Sequence, residues 1–155
     1  MKSILFACLA IIFVFTISSC RKKDNPKRYN TADSMTMRYN GGFAPVADVR
    51  VYILANGTVL EDTSTPPDNV YDVDLGQEKY NRAAYILSEV PGQLLNENGE
   101  QYGTDKRPDA GGVQLTAYIG GVAYSWYFSE YTEEMPEYAR VFADKLFSIK
   151  QTLKN

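Results

Sequence analysis

Between Val113 and Phe128 the chain carries two runs of alternating residues around a Gly-Gly pair, and no other stretch restricts the fold as strongly. Val113, Leu115, Ala117 and Ile119 alternate with polar or amphipathic neighbours; after Gly120-Gly121, Val122, Tyr124, Trp126 and Phe128 alternate back. Successive side chains on a strand point to opposite faces, so period two in both runs predicts a β-hairpin with one buried face. The glycines suit a two-residue turn whose central positions both need positive φ. A second hairpin follows the same logic. Over residues 48–55, Val49, Val51 and Ile53 alternate with Arg50, Tyr52 and Leu54, one face being better buried than the other; Asn56-Gly57 turns, and Thr58-Val59-Leu60-Glu61 returns.

The remaining elements arrange themselves around these hairpins. Met35, Arg38 and Tyr39 lead into the turn signal Asn40-Gly41-Gly42, which predicts a preceding strand. Residues 70–75 read as a short strand, with Tyr71, Val73 and Leu75 on one face and Asp72 and Asp74 on the other. Over 77–89, Tyr80, Ala83, Ala84 and Leu87 recur at helical spacing, and Pro91-Gly92 ends the run. Pro136 suits a first helical position, after which Ala139, Phe142, Leu146, Ile149 and Leu153 form a stripe at spacings of three and four. Residues 62–69, with adjacent prolines, and 96–112, rich in Asn, Asp, Gly and Pro, read as long exposed loops. The fold class is therefore α+β: a small antiparallel sheet or barrel of about five to six strands, flanked by one or two helices, with a C-terminal amphipathic helix.

The first residues are an address. Lys2 precedes an apolar run over 4–17, too short for a membrane span of ~20 residues, and the run ends in Ile17-Ser18-Ser19-Cys20. This ending resembles the lipobox of bacterial lipoproteins, which implies cleavage after residue 19 and acylation of Cys20. The domain division follows: 1–19 signal peptide, 20–33 lipidated cysteine and polar tether, 34–155 one globular domain. The implied location is the bacterial cell envelope, lipid-anchored, with the outer membrane favoured. Cys8 leaves with the signal, so Cys20 is the sole cysteine of the mature chain and no disulfide forms within it. Arg21, Lys22, Lys23, Lys27 and Arg28 follow the anchor, opposed only by Asp24. Such a run is a solvated tether and is also attracted to anionic headgroups, by roughly 1 kcal/mol per cation. The overall charge of −3 therefore hides a distinctly acidic body, which disfavours nucleic acid as a partner. Asp33-Ser34-Met35 resembles a short O-glycosylation acceptor motif of exported bacterial proteins, with Ser34 as acceptor.

The absence of histidine removes imidazole-dependent nucleophilic catalysis and His-ligated metal sites. With no cysteine free for a metal, no cofactor and no metal are expected, and the chain is read as a non-enzyme. Asp68, Asp72 and Asp74 lack the regular ligand spacing of a calcium loop and read as a solvated face. What remains for function is recognition, by two stiffened or charged loops or by the tyrosine-rich strands.

The strand leading into Asn40-Gly41-Gly42-Phe43-Ala44, the strand over 49–53, the helix, the loop over 105–110, and the final hairpin with Pro136 and its helix together resemble emfourin-like proteins. These are small inhibitors of thermolysin-like metallopeptidases. Export, lipobox and size resemble the potempin-type lipoprotein inhibitors of metallo- or serine endopeptidases. The resemblance implies a monomeric, membrane-anchored protein that blocks a peptidase cleft with a loop. Candidate contact residues are Gly41, Gly42 and Phe43; Glu61, Asp62, Thr63, Ser64, Thr65 and Pro66; and Asp105, Lys106 and Arg107. Lys106 is the better fit to a basic-specific serine peptidase, because Arg107 precedes Pro108. The alternative is a surface lipoprotein that binds glycan or another envelope protein through a Tyr/Trp-rich sheet face that includes Trp126 and Tyr127.

Overall fold

The structure, a computed structural model, describes residues 29–41, 49–62, 70–103 and 111–155. The chain folds as α+β, as its periodicities predict. Strands β1 (Tyr29–Asn30), β2 (Ser34–Asn40), β3 (Arg50–Ala55), β4 (Thr58–Asp62) and β5 (Tyr71–Asp74) precede helix α1 (Gln77–Ala83). Then come β6 (Val90–Pro91), β7 (Gln101–Tyr102), β8 (Gly112–Ile119), β9 (Val122–Ser129) and the C-terminal helix α2 (Glu137–Lys154). Seven strands form one open sheet in the order β5-β4-β3-β2-β8-β9-β7, and β1 pairs with β6 apart from it. Every pairing in the large sheet is antiparallel except β7 with β9.

Both predicted hairpins are present. Asn56 and Gly57 adopt φ of 50° and 83°, Gly120 and Gly121 of 57° and 79°, which is the doubly positive turn that lets strands keep their right-handed twist. The sheet buries one face. Met35, Met37 and Tyr39 of β2 lie opposite Leu54 and Tyr52 of β3 and beside Val113, Leu115 and Ala117 of β8; Trp126 and Phe128 of β9 complete the layer. On β3 the better-buried face is that of Tyr52 and Leu54, because their cross-strand partners are the core methionines of β2.

Helix α2 covers this face and crosses the strands. Phe142 meets Phe128 edge to face at 5.9 Å, the Leu146 carbonyl accepts the Tyr39 hydroxyl at 2.7 Å, and the Leu153 carbonyl accepts Lys79 of α1 at 2.7 Å. Ala139, Phe142, Leu146, Ile149 and Leu153 are all buried, so the predicted stripe is the packing stripe. The helix expected over 77–89 is shorter: α1 ends at Ala83 and the chain tightens into a 3₁₀ turn over Ala84–Ser88.

Two expectations about the ends of elements need correction. Residues 29–33 belong to the folded body rather than the tether, since β1 pairs with β6, Ala32 is buried and donates to the Leu87 carbonyl at 2.6 Å. The expected loop over 96–112 contains β7, and just before it the 3₁₀ turn Gly92–Asn96 buries Leu94, whose carbonyl accepts the Trp126 indole N–H at 3.0 Å.

Candidate functional site

The strands of the large sheet have two unlike ends. At one lie the tight turns Asn56-Gly57 and Gly120-Gly121. At the other, three longer segments leave and rejoin the sheet: 41–49 between β2 and β3, 63–70 between β4 and β5, and 103–111 between β7 and β8. Register places their bases side by side, with Asn40 opposite Gly112, Tyr39 opposite Arg50, Val51 opposite Asp62, and Asp62 opposite Tyr71. Gly42, Phe43, Thr63, Ser64, Thr65, Pro66, Asp105, Lys106 and Arg107 lie outside the described residues, as does Cys20.

Asp62 is not a loop residue but the last residue of β4, at a register shift in the β4–β5 pairing, and its Oδ1 accepts the Val70 N–H at 3.1 Å. That bond closes the base of the 63–69 segment. Glu61 is likewise a strand residue. Its carboxylate pairs with Arg50 at 2.6 Å and its side chain is only 12% exposed, which ties it into the sheet. Gly41 directly follows β2.

The base of the 103–111 segment is held by steric demand. Gly103 has φ of 82°, and a side chain there would run into the Tyr131 carbonyl; one at Gly112 would run into the Tyr127 phenol. Glu130 N–H donates to the Gly111 carbonyl at 2.9 Å, and Tyr131 N–H to Ser129 Oγ at 3.2 Å. Beneath this end, Tyr39 and Tyr52 pack edge to face at 6.0 Å, with Lys150 Nζ 5.6 Å from the Tyr39 ring centre. Burial, joined by the nearby Glu61 carboxylate, raises the Tyr52 pKa.

Two other constellations were not legible beforehand. Glu97 receives the hydroxyls of both Tyr102 and Tyr138 on the same oxygen, Tyr138 at 2.6 Å. Tyr102 also stacks on Phe128 at 5.2 Å, so this carboxylate staples β7 to the start of α2. Burial first, and then hydrogen bonding to Glu97, pushes Tyr138 up to about 12 and Tyr102 higher still. Beside α2, a shallow depression of about 300 Å³ is lined by Glu130, Asp144, Phe147 and Lys150, the last bridging to Glu130 at 3.4 Å. Among the described residues no group of three acidic or sulfur ligands is placed to hold a metal ion.

The face of the sheet away from the helices carries Thr36, Arg38, Gln114, Thr116, Ser125 and Tyr118, with Gln114 donating to Ser125 Oγ at 2.7 Å. Tyr71 leans over it from β5, where Thr36 and Arg38 of β2 oppose the rise in pKa that burial and Asp62 impose. Ser34 lies half-buried on this face between Ala55 and Tyr118. Trp126 does not. It is 1% exposed on the helical side, stacked with Tyr124 at 5.9 Å, and so does not contribute to an outward-facing aromatic surface. Tyr127 is half-buried over Gly112. Compared with known proteins, the chain matches no protein-family model, no curated protein and no solved structure.

Proposed function

We propose that this chain is an envelope lipoprotein, anchored through Cys20, that inhibits an endopeptidase by presenting its loop end to the active-site cleft. The observation that supports this reading is the convergence of the three long segments on adjacent strand ends, with the base of one closed by the Asp62–Val70 hydrogen bond and one end of another tied to the end of β9 by the Gly111–Glu130 hydrogen bond. Closing a loop at its base lowers the entropy lost when it meets a partner. Recognition from loops on a rigid sheet needs no catalytic set of its own. Toward a basic-specific serine peptidase, Lys106 enters the primary pocket; toward a metallopeptidase, the Asp105 carboxylate or a backbone carbonyl approaches the metal.

The test is direct. The purified protein is titrated against thermolysin-like and trypsin-like peptidases, and at least one loses activity at micromolar concentration or below. Lys106→Ala then separates the targets. Against a trypsin-like enzyme it weakens inhibition by about 30-fold, the ~2 kcal/mol of a hot-spot residue, and against a metallopeptidase it changes little. A full panel left active at micromolar protein overturns the proposal.

A further inference from the structure

The end of the sheet opposite the loops is also unusual. From Gly111 to Ser129 the chain carries no charged residue. At the β8–β9 turn, Val122 is 51% exposed and Tyr118 45% exposed, with Gly120, Gly121 and Ala123 exposed between and beside them. Tyr118 stands opposite Ala123 on one face and Ile119 opposite Val122 on the other, so the tip is apolar on both sides. A hydrophobic, uncharged tip in an acidic body calls for a partner that is neither an ion nor a charged surface groove.

The path of the chain indicates which partner. Asp33 N–H donates to the Tyr118 carbonyl at 2.7 Å, and Gly120 N–H donates to Asp33 Oδ2 at 3.1 Å, so the chain enters β2 beside this turn, with the exposed Asp33 carboxylate at its side. Upstream, the stretch from Cys20 to Tyr29 spans at most about 30 Å when fully extended. An acylated Cys20 thus keeps the body close to the bilayer, and Arg21, Lys22, Lys23, Lys27 and Arg28 draw that stretch toward anionic headgroups.

We propose that the β8–β9 hairpin tip, through Tyr118, Ile119, Val122 and Ala123, rests in the headgroup region of the membrane that holds the lipid anchor. Tyrosine with its apolar ring and polar hydroxyl suits that interface. The contact is weak by itself, yet tethering makes it intramolecular and raises its effective concentration. Because β8 runs 8 residues from this tip to Gly112, the loop end is then held about 25 Å further out. The inference rests on acylation of Cys20, and deepens the proposed function by fixing which end of the inhibitor faces an approaching peptidase.

An environment-sensitive fluorescent amino acid is placed by stop-codon suppression at Val122 and, in a second preparation, at Glu133, exposed beyond the other end of β9. The full chain is expressed in bacterial cells, recovered as they process it, and reconstituted in phosphatidylethanolamine–phosphatidylglycerol vesicles, with palmitate labelling of Cys20 read in parallel. The expected result is label on Cys20, with blue-shifted emission and quenching by brominated acyl chains at residue 122 and neither at 133. Label with solvent-like emission at 122, or equal quenching at both positions, overturns the tip contact and leaves the anchor standing. Absence of label overturns the anchor and the tip contact together, while inhibition by the soluble protein is still read separately. A shift at 122 in the unlipidated Cys20→Ala protein that grows with protein concentration assigns the tip to a second copy and also overturns the proposal.

Discussion

Tyr39 and Tyr52 share the core beneath the loop end, but their hydroxyls are in opposite circumstances. Tyr39 donates to the Leu146 carbonyl, tying β2 to α2, whereas the buried Tyr52 hydroxyl makes no hydrogen bond of good geometry among the described residues and has only the Glu61 carboxylate nearby to approach. A buried donor left unpaired costs about 1–3 kcal/mol, and a made bond contributes about 1 kcal/mol. Tyr39→Phe is therefore expected to lower the unfolding free energy by about 1 kcal/mol, and Tyr52→Phe to leave it unchanged or raise it; urea denaturation of the two variants decides. The Glu97 pair gives a pH prediction. Tyr138 and Tyr102 have folded pKa values above the unfolded value of 10.0, so the neutral phenols favour the native state. Their contribution is complete below pH 10 and is lost as the pH rises through the folded values, with Tyr138 at about 12. Unfolding at alkaline pH should be steep, and Tyr138→Phe should make it shallower. Trp126 falls in the alternating run that predicts the hairpin's buried face, and its side is set by the partner across the pair, the core residue Leu115.

At the scale of elements, strength of pattern decided what could be read in advance. Helix α2 and the two hairpins announce themselves because many residues repeat one period, and Gly at a turn with φ near 80° has a steric reason to be there. Gly57→Ala should cost about 1–2 kcal/mol for that reason alone, measurable as a lower thermal midpoint. Leu146→Ala and Phe142→Ala should each cost about 2–5 kcal/mol, since each leaves a cavity between α2 and the sheet. The short pieces were not legible. β7 is two residues long and pairs in parallel with β9, and β1 pairs two residues with β6; such segments carry too few side chains to show a period. The candidate loops were visible as breaks in pattern, yet their convergence depends on strand order, and no local signal contains strand order.

For the whole molecule, the proposed export and anchoring are the most cheaply tested. Cys20→Ala should abolish palmitate labelling and release the protein from the membrane fraction. The sheet meanwhile stays an open layer, with its outer edges formed by the short strands β5 and β7. Asp72 and Asp74 on β5 make the longer of these edges a poor template for another chain. A further consequence follows from the middle of that layer. β2, among the first strands in the sequence, lies at the centre, paired on one side with its neighbour β3 and on the other with β8, so that residues 34–40 meet residues 112–118. Closing so long an intervening chain is slow, because its entropy is lost before the contact forms. Delivered from its N-terminus, the polypeptide can pair β2 with β3 early, but Met35, Met37 and Tyr39 stay uncovered until β8 and α2 arrive, so completion of the core is a late event.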